Sequence, residues 1–283
     1  MITQKKILIT GAKGLLGTEL VNTISLNSNY EVKGVDFEDF DITDKDVVMS
    51  YVKNYEPDYI IHSAGYTKVD DAEKEKDLCF SVNETGTYNL ALSAKEIDCV
   101  FVYFSTDFVF DGNKKEAYVE TDEPNPISVY GLSKLKGEEA VIGLLDKYFI
   151  FRISWLYGEY GKNFVSTIKN IAEKRDEISV VKDQIGCPTY SKDISDNIMA
   201  VITTNEYGIY NMVGEGQCSW YEFACEIVKI LGLDVKVIPI LSDKMPRPAK
   251  RPCNSCLNCG KLNNLLTKQV MPFWQKSLEK FLI

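Results

Sequence analysis

Cationic residues, histidine and long apolar runs are all scarce in this chain. Lysine and arginine number 32 against 41 aspartates and glutamates, a net charge of −9, and the sequence pI is about 4.9. That balance argues against a general nucleic-acid or anionic-membrane binder, so any anionic substrate must be met by local basic residues. No apolar run approaches the roughly 18 residues a membrane span requires. The opening stretch from Met1 to Thr10 is too short in apolar residues for a signal peptide and runs straight into a glycine-containing loop, so the cytoplasm is the expected location. Internal repeats, low-complexity tracts and long linkers are missing as well. Hydrophobic residues at 45% and charged residues at 26% are the proportions of an ordinary soluble globular protein, and 283 residues suit one large or two modest domains.

The eight cysteines are scattered through a chain of this length, and reduced thiols are expected. Cys253-Asn-Ser-Cys256-Leu-Asn-Cys259 has a spacing that could hold zinc or an iron-sulfur cluster, with Cys187 or Cys218 as a fourth ligand. No second Cys-x-x-Cys and no neighbouring histidine completes such a site, so no metal is assigned. The lone histidine, His62, falls at a strand end and reads as a polar residue near a cofactor rather than as a general base.

What is present is a regular alternation. Apolar, β-rich runs near 5–10, 30–35, 58–62, 99–105 and 148–154 are separated by helical patterns. This predicts right-handed βαβ crossovers and an α/β fold with a doubly wound, Rossmann-like parallel sheet. After Trp155 the rhythm changes: a helix over 163–174, a short strand over 178–181, a helix over 193–203, then an amphipathic segment over 221–231 and an apolar run over 235–238. The expected organisation is a dinucleotide-binding domain over 1–155 and a smaller α+β substrate lobe made mainly of 156–283, with strands free to return to the first domain. The two would close a cleft for a bulky substrate.

Three motifs carry the chemistry. Gly11-Ala-Lys-Gly14-Leu-Leu-Gly17 joins the first apolar run to a helical pattern, and glycines at such a turn let the backbone approach a pyrophosphate at a helix N-terminus. The spacing differs from Gly-x-Gly-x-x-Gly, but Asp36 ends the next apolar run about 20 residues on, where an acid binds ribose hydroxyls. No arginine follows in Phe37-Glu38-Asp39 to receive a 2′-phosphate, which favours NADH while leaving NADPH open. The second motif, Phe104-Ser-Thr-Asp-Phe-Val-Phe110, ends a buried strand in hydroxyl and acid residues that point into a ligand crevice, making Thr106 a candidate carbonyl donor. The third is Tyr130-Gly-Leu-Ser-Lys134. Residues four apart share a helix face, where an ammonium can favour the phenolate of a tyrosine whose ordinary pKa is about 10. A further segment, Lys244-Met-Pro-Arg-Pro-Ala-Lys-Arg-Pro252, is stiff and basic enough to act as a phosphate clamp.

Taken with Asp41-Ile-Thr-Asp44, Ala64-Gly-Tyr-Thr-Lys-Val-Asp-Asp-Ala-Glu73, Arg152-Ile-Ser-Trp-Leu-Tyr157, Asp183-Gln-Ile-Gly-Cys-Pro-Thr189 and Pro248-Ala-Lys-Arg-Pro252, the chain resembles the extended short-chain dehydrogenases/reductases nearly end to end. Within that group it is similar to the dTDP-4-dehydrorhamnose reductases. The resemblance implies a catalytic triad of Thr106, Tyr130 and Lys134. It implies a cofactor cleft lined by Gly11, Gly14, Leu15, Leu16, Gly17, Asp36, Asp41, Ile42, Gly65, Tyr66 and Thr67, with Tyr130 and with Lys134 on the nicotinamide ribose. Thr106, Asp107 and Trp155 would contact a dTDP-sugar. The implied reaction reduces the C4 keto group of dTDP-4-dehydro-β-L-rhamnose with NAD(P)H to give dTDP-β-L-rhamnose. Another nucleotide-sugar 4-ketoreductase or epimerase is the near alternative. A non-catalytic regulatory subunit resembling the β subunit of methionine adenosyltransferase is the distant one. Phe108 departs from a family pattern that commonly places tyrosine there, which bears on pH optimum and rate more than on reaction type. Some family members dimerise around magnesium through glutamates, and Glu19 lies at one matching position, so a homodimer is an open expectation.

Overall fold

The five apolar runs before Trp155 become strands: β1 (Lys5–Thr10), β2 (Tyr30–Val35), β3 (Tyr59–His62), β4 (Val100–Thr106) and β5 (Tyr148–Ile153). The computed structural model describes residues 4–283; residues 1–3, part of the expected cofactor domain, lie outside the described residues. A sixth strand, Gly208–Asn211, joins the edge of β5, and the sheet runs in the order Gly208–Asn211, β5, β4, β3, β1, β2. Every pairing in it is parallel. The strands match the expected runs to within a residue or two, and the doubly wound parallel sheet is the expected architecture.

Side chains alternate across this sheet, as a strand period of two requires. Ile7, Ile9, Ile61, Val102, Phe104, Phe149 and Phe151 face one layer, where they meet Leu16 and Leu20 of α1 (Leu15–Ile24) and Ile194, Ile198 and Val201 of the helix Ser191–Ile202. Leu8, Ile60, Phe101, Tyr103 and Ile150 face the other, against Val48, Val52, Leu90, Ala94 and Val141. A sheet covered on both faces explains the near-continuous apolar runs. The chain beyond Trp155 thus contributes a strand and a covering helix to the main sheet.

The smaller lobe has its own core of Val165, Ile168, Ile178, Val180, Phe223, Ala224, Ile227, Trp274 and Leu278. Its helices Phe164–Ala172 and Trp220–Ile230 start with capping boxes on Asn163 and Ser219, which satisfy the free N–H groups of the first turn. Strands Glu177–Val181 and Lys236–Ile240 pair in parallel beside them.

One ion pair fixes the long helix Val129–Leu144 to the sheet. Arg152 on β5 donates from Nε to Glu138 Oε1 at 3.0 Å and from Nη2 to Oε2 at 2.7 Å. Their side chains are 2% and 1% exposed, so neither charge has water as an alternative partner. Glu138→Leu, which strands the buried guanidinium, is expected to lower stability by about 3–5 kcal/mol in urea unfolding; a loss under about 1 kcal/mol would show the charge is relieved some other way.

Candidate active site

The order 2-1-3 places a topological switch point between β1 and β3, and in such sheets ligands bind beyond the carboxyl ends of the strands there. The loop after β1 is built for close approach. Gly11 takes φ +70°, Gly14 N–H closes the turn onto Gly11 O at 3.0 Å, and a Cβ on Gly17 would collide with the Gly11 carbonyl. Helix α1 begins immediately afterwards with the unsatisfied N–H groups that suit a phosphate. At the end of β2, Asp36 accepts from the backbone N–H of Lys13 and of Phe37, both at 2.8 Å, which ties the two loops together.

One cleft of about 900 Å³ runs from this loop to the tyrosine helix. It is lined by Gly11, Gly14, Leu15, Leu16, Gly17, Asp36, Asp41, Ile42, Gly65, Thr67, Thr106, Asp107, Tyr130, Lys134 and Trp155. Tyr66 alone of the expected set is absent from this lining: its hydroxyl donates to Glu75 at 2.7 Å and its backbone N–H to Asn83 Oδ1 at 2.8 Å. A dinucleotide fits the cleft, because the glycine cradle admits no side chain and Ser105 Oγ and Asp107 Oδ2 are buried without hydrogen-bond partners.

Tyr130 and Lys134 sit in the first two turns of a helix that Ser128 caps by accepting from Gly131 N–H at 3.1 Å. Thr106 is the last residue of β4, and its hydroxyl donates to Asp107 Oδ1 at 3.0 Å. Burial pushes the Tyr130 phenol above its ordinary pKa, against the opposing effect of the Thr106 hydroxyl. Phe108 meets the Tyr130 ring edge-on at 5.7 Å. The Lys134 ammonium lies 4.1 Å from the centre of the Tyr103 ring, and burial pulls its pKa down to about 7 against the nearby Glu138 and Cys79. Burial also raises the Asp107 carboxyl to about 6, with the Ser255 and Thr106 hydroxyls opposing. His62, held between Thr10 at 2.8 Å and Thr87 at 3.1 Å, is lowered to about 3 by burial and by the Lys134 charge. It is therefore a neutral core residue and no base.

Several lining residues were not singled out from the sequence. Trp220 stacks on Trp155 with ring centres 3.5 Å apart and planes 5° from parallel, while Trp155 itself takes φ +44°. Lys13, Lys162 and Arg251 also line the cleft. Lys13 falls within the glycine motif and Arg251 within the basic strap, whereas Trp220 comes from the other lobe and is brought onto Trp155 by tertiary packing. Cys187, Cys256 and Cys259 pack in an apolar cluster with Val109, Phe110 and Leu257, whereas Cys253 is exposed. No group of three or more potential metal-ligating side chains is found among the described residues. Nor is any described helix long and apolar enough to cross a membrane.

The shift on Lys134 has a stability consequence. Its folded pKa of about 7 lies below the ordinary 10.5, so between those values the unfolded chain binds more protons and stability rises with pH. Lys134→Met should therefore be more stable than the parent by most below about pH 7, with the gap in thermal midpoint narrowing toward about pH 10; a gap independent of pH would contradict this origin.

Residues 5–283 match the family model described as the RmlD substrate binding domain. The chain is 42% identical over 286 residues to a dTDP-4-dehydrorhamnose reductase of Aggregatibacter actinomycetemcomitans, covering 97% of each. It is 38% identical to the spore coat polysaccharide biosynthesis protein SpsK of Bacillus subtilis strain 168, covering 89% of each. Its structure superposes with a TM-score of 0.95 on the crystal structure of a Bacillus anthracis dTDP-4-dehydrorhamnose reductase in complex with NADP, at 42% identity over 99% of each chain.

Proposed function

The chain belongs to the RmlD family of dTDP-4-dehydrorhamnose reductases, and we infer from its site that it reduces the C4 keto group of dTDP-4-dehydro-β-L-rhamnose with NAD(P)H, giving dTDP-β-L-rhamnose. The observation that carries this reading is the meeting of Thr106, Tyr130 and Lys134 in the one cleft that also contains the glycine cradle. When bound, a nicotinamide dinucleotide supplies the hydride that the C4 carbon accepts. Gly11, Gly14, Gly17, Asp36, Asp41, Ile42, Gly65 and Thr67 would hold it, with Lys134 on the nicotinamide ribose.

The chain's own residues manage the oxygen. Tyr130 donates its phenolic proton to the alkoxide that develops on O4, and the Thr106 hydroxyl, turning its single proton from Asp107 to the substrate, donates a hydrogen bond to that same oxygen. The phenolate left behind recovers a proton from solvent. A buried phenol of raised pKa gives up its proton reluctantly, so the positive charge on Lys134 matters most as the phenolate forms. Asp107, with one carboxylate oxygen unpartnered, would accept from a sugar hydroxyl, and the Trp155 indole would offer an apolar wall.

Loss of NADH absorbance in the presence of the keto sugar nucleotide tests the assignment. Tyr130→Phe should cut turnover by about 10²–10⁴-fold while leaving NADH affinity unchanged; a variant that turns over like the parent would sink it. NADH is the preferred reductant in this reading, because the Asp36 carboxylate would repel a 2′-phosphate and the nearest cation, Lys13, is paired with Glu38 at 3.0 Å. The kcat/KM ratio of NADH to NADPH should exceed one, and Asp36→Ser should lower it by about tenfold. A parent enzyme that prefers NADPH would reverse this part alone.

A further inference from the structure

After the strand Lys236–Ile240 and the single turn Ser242–Lys244, the chain crosses from the smaller lobe to the dinucleotide half as a proline-rich strap without regular structure. One carboxylate receives it. Asp70, on the short helix Val69–Ala72, accepts from Arg251 Nη1 at 2.9 Å on Oδ1 and from Arg251 Nη2 at 3.0 Å on Oδ2. The Ala249 N–H reaches the same Oδ1 at 3.3 Å, and Arg247 Nη1 stands 3.6 Å from Oδ2.

These bonds use one edge of the Arg251 guanidinium and leave the other. Nη1 spends its second hydrogen on the Ala249 carbonyl at 3.0 Å. The edge formed by Nε and the second Nη2 hydrogen has no partner among the described residues. That edge presents two parallel donors, the arrangement that meets two oxygens of a phosphate.

Position and charge both point it at a ligand. Arg251 lines the same cleft as Thr106, Tyr130 and Trp155. Four residues further on, Ser255 lies beside Asp107, the neighbour of Thr106. Four residues of extended chain reach at most about 14 Å, so Arg251 stays within the length of a hexosyl diphosphate from the carbonyl site. The cleft's cations are Lys13, Lys134, Lys162 and Arg251. Lys13 stands at the Asp36 end of the cleft, its backbone N–H on the Asp36 carboxylate, and Lys134 serves the tyrosine. In a chain of net charge −9, a second anionic ligand is left with Lys162 and Arg251, and only Arg251 offers a planar two-donor edge.

We propose that Asp70 is a positioning residue for the sugar nucleotide: by holding one edge of Arg251 it fixes the plane of the guanidinium and presents the other edge to the substrate diphosphate. The inference rests on the nucleotide-sugar reading above and adds the groups that recognise the diphosphate. Asp70 and the ligand use different edges, so they act together rather than in competition. The contact also ties the strap to the opposite half at the mouth of the cleft, ordering a side chain whose rotamer freedom would otherwise be lost on binding.

The test uses the full chain with saturating NADH and the keto sugar nucleotide, in the parent, Asp70→Asn, Arg251→Ala and the double variant. Each single change should raise KM for the sugar nucleotide about tenfold with kcat altered less than about threefold, and the double change should be no worse than the worse single one. NADH affinity, unchanged throughout, shows that the variants are folded. Titration calorimetry supplies the readout that a merely structural role would not move: both variants should weaken dTDP binding and leave thymidine binding as it was. Equal weakening of dTDP and thymidine, or dTDP affinity untouched by Asp70→Asn, overturns the proposal. Running UDP against uridine in parallel separates the two readings. If the parent ignores dTDP-sugars yet the diphosphate-dependent loss persists with UDP, the substrate assignment falls and the Asp70–Arg251 fork stands.

Discussion

The Arg152–Glu138 ion pair is the constraint on which the catalytic geometry depends. Glu138 lies one turn beyond Lys134 on the helix that also carries Tyr130, and Arg152 lies buried on β5. The same guanidinium packs over the Phe110 ring at 5.0 Å, and the Arg152 carbonyl accepts from Met212 N–H at 2.9 Å. One buried pair thereby joins the catalytic helix, the sheet, the loop after β4 and the chain returning from the smaller lobe. Such a pair adds little net stability over apolar packing, since both charges must be stripped of water. What it supplies is a single register of helix on sheet, because any slip of the helix would leave a buried charge alone.

Around that frame, burial drives ionisable groups toward neutrality. His62 is neutral, Lys134 has a pKa of about 7 and Asp107 of about 6, and the Tyr130 phenol is raised. A site of this kind gains most from charges that arrive with its ligands, since electrostatic effects are largest where water is excluded. The strap follows the opposite logic at the cleft mouth. There Asp70 and Arg251 are 26% and 22% exposed, the hydrogen bond from Arg251 lowers the Asp70 carboxyl, and the geometry of the pair matters more than its energy.

The strands and their parallel pairing could be read from the sequence because each rests on a local signal. A strand covered on both faces must be apolar throughout, as in Val100–Phe104, and a strand-to-helix turn around a phosphate must be free of side chains, as at Gly11 and Gly17. The pairing of Tyr130 with Lys134 was equally local, since four residues make about one helical turn. Tyr66 shows where a local signal stops: sequence puts it beside Gly65 and Thr67, but its hydroxyl is held by Glu75 and its backbone N–H by Asn83, contacts that no short-range pattern encodes.

What only the tertiary structure decided are the meetings between segments far apart in the chain. Trp155 stacks on Trp220, Asp70 grips Arg251, and the cysteines at 187, 256 and 259 share an apolar cluster rather than a metal-like grouping. No periodicity encodes these contacts. Sequence by itself determined the elements and the chemistry each one carries, because backbone period and side-chain type act over a few residues. Which of those chemistries face one another was decided by packing, where burial of the apolar cores and the pairing of Arg152 with Glu138 select one arrangement of the same elements.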